Sequence, residues 1–118
     1  MVGRKPFARW IFRGAAIYGL VVLLPMYWSV PTDDHLVAYL GFIGLALVFQ
    51  GVFWIIGGDP LRYRALMPMA VLEKLVFAIP ALTLYALGRS GGAVAGFAAI
   101  DAILGGLFLF AWRALPAA

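Results

Sequence analysis

The sequence predicts an all-α membrane protein, four transmembrane helices folded as one antiparallel bundle with both termini cytoplasmic. Three observations carry this. Hydrophobic residues fill 65% of the 118 positions and charged residues only 12%, against roughly half and a quarter in soluble domains. Four windows of about 20 mainly apolar residues, the length that crosses a bilayer, follow one another along the chain. Basic residues cluster beside alternate ends of these windows, the asymmetry that orients membrane helices. A soluble chain of this size buries only about 60% of its surface, so the surplus apolar surface must face lipid.

The first window runs from Arg9 to Trp28. Its basic start resembles a secretory signal. Met26, Tyr27 and Trp28 stand where a small-residue cleavage site would fall, so the segment is expected to be retained. Ser29, Pro31, Thr32, Asp33 and Asp34 form a polar turn, with Thr32 as the expected cap of the next helix. The second window is 35–56, and Gly57-Gly58-Asp59-Pro60 ends it, with glycine as a left-handed cap. The third is 65–87, interrupted by Pro80, which frees the Val76 carbonyl. Thr83 stands ready to soften a kink there. Arg89-Ser90-Gly91-Gly92 leads into the fourth, 92–113, which Pro116 stops. Connections this short leave residues 1–118 as a single membrane domain and favour antiparallel neighbours.

Arg4, Lys5, Arg9, Arg13, Arg62, Arg64 and Arg113 fall on one side of this layout. Arg89 falls on the other with Asp33 and Asp34. The first side is therefore expected to be cytoplasmic. The net charge of +4 flanks apolar segments and forms no patch for nucleic acid. Cysteine is absent, which excludes disulfides, thiol catalysis and cysteine metal sites. No nucleotide motif, catalytic triad or HExxH set occurs. The single histidine, His35, has two aspartates beside it but no metal-site spacing, and capping and solvation account for it better than a metal. No cofactor and no catalytic residue is expected.

Ionisable groups inside a membrane are functional candidates by default, which singles out Glu73, Lys74 and Asp101. Counted from the helix ends, Glu73 and Asp101 differ by roughly 9 Å in height. Neighbours Glu73 and Lys74 point about 100° apart. In the leading reading, Glu73 pairs with Arg62 or Arg64 at the cytoplasmic surface, while Lys74 and Asp101 bind each other or nearby backbone, as interhelical glue. In the alternative, the three line a polar pocket for a proton, an ion or a quinone-like headgroup. Gln50 is a further candidate, as a ligand contact or an interhelical hydrogen bond. A membrane enzyme using the acidic pair as acid and base is the weakest option.

The fourth helix carries small residues at four-residue spacing: Gly92 and Gly96, then Ala98, Ala102 and Gly106, with Gly105 four after Asp101. Such spacing lets backbones approach closely. Gly105 and Gly106 are both expected at a helix contact, so that Gly106→Leu destabilises. The expected partners are the lipid bilayer and other membrane subunits or a second copy. The leading function is helix–helix association, with an accessory role in a membrane complex.

Asp59-Pro60-Leu61-Arg62-Tyr63-Arg64, Leu72-Glu73-Lys74-Leu75 and Leu84-Tyr85-Ala86-Leu87-Gly88-Arg89, followed by Asp101, resemble a pattern in small bacterial four-helix membrane proteins of DoxX-like size and layout. The resemblance covers mainly the second half of the chain. It implies a bacterial cytoplasmic membrane, a four-helix bundle and an accessory or quinone-adjacent role, and it transfers no catalytic motif. Small multidrug transporters are similar in length. They carry their key glutamate in the first helix, which here has no acidic residue.

The charge asymmetry predicts that a reporter fused after residue 118 is active only in the cytoplasm. Activity on the opposite side of the membrane would reverse the orientation.

Overall fold

The computed structural model describes residues 4–116 and is built from helices. The helices are α1 (Arg4–Leu23), α2 (Leu36–Gly58), α3 (Met67–Ala86) and α4 (Gly92–Ala114). Short 3-10 turns at Leu24–Trp28 and Arg64–Leu66 extend α1 and precede α3. With these turns, all four segments are long and apolar enough to cross a bilayer, which marks the chain as an integral membrane protein.

Several boundaries differ from the sequence expectation, each for a local reason. α1 begins at Arg4 rather than Arg9, and its α-helix stops at Leu23 instead of Trp28. Pro25 has no backbone N–H, so the chain tightens into a 3-10 turn around it. The Tyr39 hydroxyl then donates to the Met26 carbonyl at 3.0 Å and ties that turn to α2. Thr32 does not cap α2. The α2 cap is His35, and Asp33 Oδ1 closes the turn by accepting from the His35 backbone N–H at 3.0 Å. His35 Nδ1 lies 3.1 Å from the same oxygen, so this carboxylate and the histidine form a local turn.

Gly57 and Gly58 lie inside α2 and are not a left-handed cap. They make room for α1. A Cβ on Gly57 would fall 2.6 Å from Arg13 Cγ and 3.2 Å from the Arg9 carbonyl, and one on Gly58 would fall 2.8 Å from an Arg13 guanidinium nitrogen. Arg13 fills the gap, with its guanidinium 4.2 Å from the centre of the Trp54 ring. The left-handed conformation occurs instead at Gly88, φ 73°, where α3 ends. There the Arg89 N–H reaches back to the Leu84 carbonyl at 2.8 Å. This is the backward bond of a glycine C-terminal cap.

The helices pack unevenly. α3 lies along α4, α1 lies along α2, and α1 also meets α4, whereas α2 and α3 meet sparsely. The main cluster of the core lies in one half of the molecule. It gathers Ala8, Phe12, Ala15 and Ala16 from α1, Phe53 and Ile56 from α2, Met67 and Ala70 from α3, and Phe108 and Ala111 from α4, with Leu115 just beyond. Phe12 stacks on Phe108 with ring centres 4.2 Å apart, and Phe53 meets Phe108 edge-on at 5.0 Å. Alanines around these rings let the backbones close in, which is how helices associate where lipid supplies no hydrophobic driving force.

The two glycines of α4 play different parts. A Cβ on Gly105 would sit 3.2 Å from the Lys74 Cβ, whereas one on Gly106 would meet nothing within 4 Å. Gly106 is exposed and so are Gly92 and Gly96, while Ala98 is buried and Ala102 is half-buried. The expectation that Gly106 marks a helix contact is therefore corrected. One residue of helix rotation separates it from Gly105, and only Gly105 faces α3.

Gly105→Leu is expected to cost roughly 1–3 kcal/mol, the usual penalty of overpacking. Gly106→Leu should stay within about 0.5 kcal/mol of wild type. Thermal unfolding of the two variants in lipid nanodiscs checks this, and equal melting would show that α4 is rotated.

Candidate functional site

Above the aromatic core the helices diverge, and a cavity of about 840 Å³ opens between them. All four contribute to its wall: Tyr18 to Met26 from α1 and its extension, Phe42 to Gln50 from α2, Glu73 to Leu84 from α3, and Ala93 to Asp101 from α4. Along α4 this spans Ala93 to Asp101, about 12 Å at the helical rise. The wall is almost wholly apolar. It is incomplete where α2 and α3 meet only sparsely: Leu45 and Val76 line the cavity yet are each 68% exposed.

The polar groups collect at the deep end. Gly105 brings the α3 backbone close to α4 at Lys74. The Lys74 side chain, 3% exposed, runs inward. Its ammonium lies 3.5 Å from Asp101 Oδ1, 3.9 Å from Glu73 Oε2 and 5.1 Å from the centre of the Phe53 ring. One cation therefore gathers two carboxylates from two helices and rests on the aromatic core. The rise and direction expected from the sequence kept Glu73 apart from both partners. The long lysine stem overcomes this by bending, since side chains that diverge at Cα can converge four carbons out.

Arg62 and Arg64 do not reach Glu73. The Arg62 guanidinium lies 5.4 Å from the centre of the Tyr63 ring, and that of Arg64 lies 5.2 Å from Trp112. Both remain at the packed end, so the expected cytoplasmic ion pair with Glu73 is replaced by cation–π contacts. Gln50 is 2% exposed. Its amide N–H donates to the Ala46 carbonyl of its own helix at 2.7 Å, instead of bonding across helices. Its carbonyl rests against α1 at Gly19, where any Cβ would overlap it. Pro80 lines the cavity, and Thr83 donates to the Ile79 carbonyl at 2.7 Å in the same stretch of α3.

Three side-chain atoms of this region are buried without a hydrogen-bond partner: the Tyr18 hydroxyl, Gln50 Oε1 and Glu73 Oε2. All three residues line the cavity. Buried polar atoms are normally bonded, so these three orphans are unmet hydrogen-bonding capacity just behind the cavity wall. The sequence reading missed Tyr18, an uncharged residue in the middle of the first apolar window. It also counted Arg13 only as flanking charge. Nothing in a linear sequence aligns Arg13 with Gly57 and Gly58.

An uncompensated charge at mid-membrane costs at least about 2.5–3.5 kcal/mol. Lys74→Met leaves two carboxylates without their cation and should be the most destabilising single change at the site. The pair Lys74→Met with Asp101→Leu still leaves Glu73 stranded. Adding Glu73→Leu should restore stability, since an apolar set replaces a buried ionic one at little cost. Unfolding in nanodiscs decides this, and a triple variant no better than Lys74→Met would show that the charges are not coupled.

No protein-family model matches the chain, and no curated protein or solved structure is significantly similar to it.

Proposed function

We propose that the chain is a binding unit for an amphipathic small molecule dissolved in the membrane. The ligand's polar end sits at Lys74, Asp101, Glu73 and Gln50, and its apolar part lies along the wall above. The observation that carries this is the cavity itself. It has the volume of a ligand pocket, roughly 300–1,000 Å³ with apolar walls and a few convergent polar groups. Its floor holds the site's charged residues and the unpartnered atoms. Interhelical glue would leave the carboxylates sealed, and here the Glu73 and Asp101 side chains stay 16% and 19% exposed, in residues that line the cavity.

The rest of the reading concerns placement. Short connections make the bundle antiparallel, the asymmetry of basic residues puts both termini in the cytoplasm, and the DoxX-like resemblance implies a bacterial cytoplasmic membrane. Lys5, Arg9 and Trp10 border a recess at the packed end, which suits contact with headgroups on the cytoplasmic side. The cavity then lies in the outer half of the membrane. A second reading, association with another subunit or a second copy, is favoured by the outward-facing Gly92, Gly96 and Gly106 of α4. It is compatible with ligand binding and suits an accessory role.

A long-chain alkanol carrying a diazirine tests the pocket directly. In nanodiscs it should label peptides containing Gln50, Phe77 and Ala81 in a dose-saturable way. Labelling confined to outward-facing positions such as Val48 and Ile103, growing linearly with dose, would refute the binding-site reading.

A further inference from the structure

We infer that the cavity is selective for a hydrogen-bond-donating, positively charged headgroup, that of a lipophilic amine, over a quinone or a fatty acid. The inference rests on the binding-site reading above and adds the chemistry of the headgroup.

The floor supplies more acceptors than donors. Glu73 and Asp101 contribute two carboxylates, and Lys74 is the one cation among the residues lining the cavity. In their ordinary ionised forms these three sum to one negative charge. Lys74 is at hydrogen-bond distance from a single carboxylate oxygen, at 3.5 Å, a long contact. Glu73 Oε2 and the Gln50 carbonyl have no donor at all. Arg13, Arg62 and Arg64 are held on aromatic rings, and none of them lines the cavity. The floor thus sets two carboxylates against one ammonium and the unpartnered Tyr18 hydroxyl, and is short of one positive charge.

Ligand classes separate on this basis. A quinone presents only carbonyl acceptors, which would face carboxylates and the Gln50 carbonyl with nothing but Lys74 and the Tyr18 hydroxyl to bond. A fatty-acid carboxylate would add a third negative charge around one ammonium, and like charges in such a setting repel strongly. A long-chain alcohol donates one bond and leaves the charge uncompensated. A primary ammonium donates three. It can bond the Glu73 and Asp101 carboxylates together, which already converge on one point at Lys74, and it brings the floor to neutrality. The alkyl chain occupies the apolar wall that rises to Ser90.

The test is competition against the saturable alkanol photolabel in nanodiscs of zwitterionic lipid, with wild type and Glu73→Gln side by side. The substitution removes the surplus charge and keeps the Lys74–Asp101 pair. Dodecylamine, dodecanol, decyl-benzoquinone and dodecanoate are the competitors. Dodecylamine should displace the label from wild type at roughly tenfold lower concentration than dodecanol, the equivalent of one charge-assisted hydrogen bond, and lower still relative to the other two. In Glu73→Gln that preference should fall to near parity. If the quinone or the carboxylate competes as well as the amine, or if Glu73→Gln leaves the preference intact, the headgroup inference is overturned while the pocket stands. If the label is never saturable, the pocket itself is refuted.

Discussion

Phe53 sits where the packed and hollow halves of the molecule meet. One side of its ring meets Phe12 and Phe108 in the aromatic core, and the Lys74 ammonium lies 5.1 Å from its centre. The two halves depend on each other through this ring. Rings and alanines draw α1, α2 and α4 together on one side. On the other, the same ring gives a buried cation a π face, which partly offsets the loss of water. Without the seal beneath, the charged floor would open to solvent from the packed end. Without the floor, α3 would have no polar anchor against α4.

Glycine then decides where the helices come close. Gly105 lets α3 carry Lys74 against α4, and Gly57 and Gly58 let Arg13 of α1 lie across α2. In water these contacts would be modest next to hydrophobic burial. In lipid, where apolar side chains are equally solvated inside or outside the protein, close backbone approach and polar contacts are what remain to select one arrangement. The pairs α3–α4 and α1–α2 each have such a contact. None joins α2 to α3, where the nearest aromatic rings, Phe42 and Phe77, are 5.9 Å apart and tilted.

Four membrane segments were legible in the sequence within a few residues, because apolar length is a direct physical requirement of the bilayer. The triad Glu73, Lys74 and Asp101 was also legible, since a charge in that setting is conspicuous. What remained hidden shares a cause. Val76, Phe77, Val94 and Phe97 line the cavity, yet they are the same residue types that face lipid elsewhere. Hydrophobic periodicity, which separates core from surface in soluble helices, therefore carries no signal between a pocket wall and an outer face. Gly105 and Gly106 are indistinguishable in sequence and differ only by the rotation of α4. The Gly57-Gly58 pair read as a helix end because its partner, Arg13, is 44 positions earlier. The 3-10 turn at Pro25 was missed because apolar residues surround the proline.

The sparse meeting of α2 with α3 sets the kind of affinity such a cavity needs. A hydrophobic compound enters laterally, from among the acyl chains, and never has to be captured from water. Its working concentration is then the one it reaches by partitioning into the bilayer, which for a lipophilic molecule far exceeds its aqueous level. Under those terms a shallow binding energy suffices for occupancy, and release back into the lipid stays fast. Discrimination rests on the polar floor, because every competitor that dissolves in the membrane brings a similar tail.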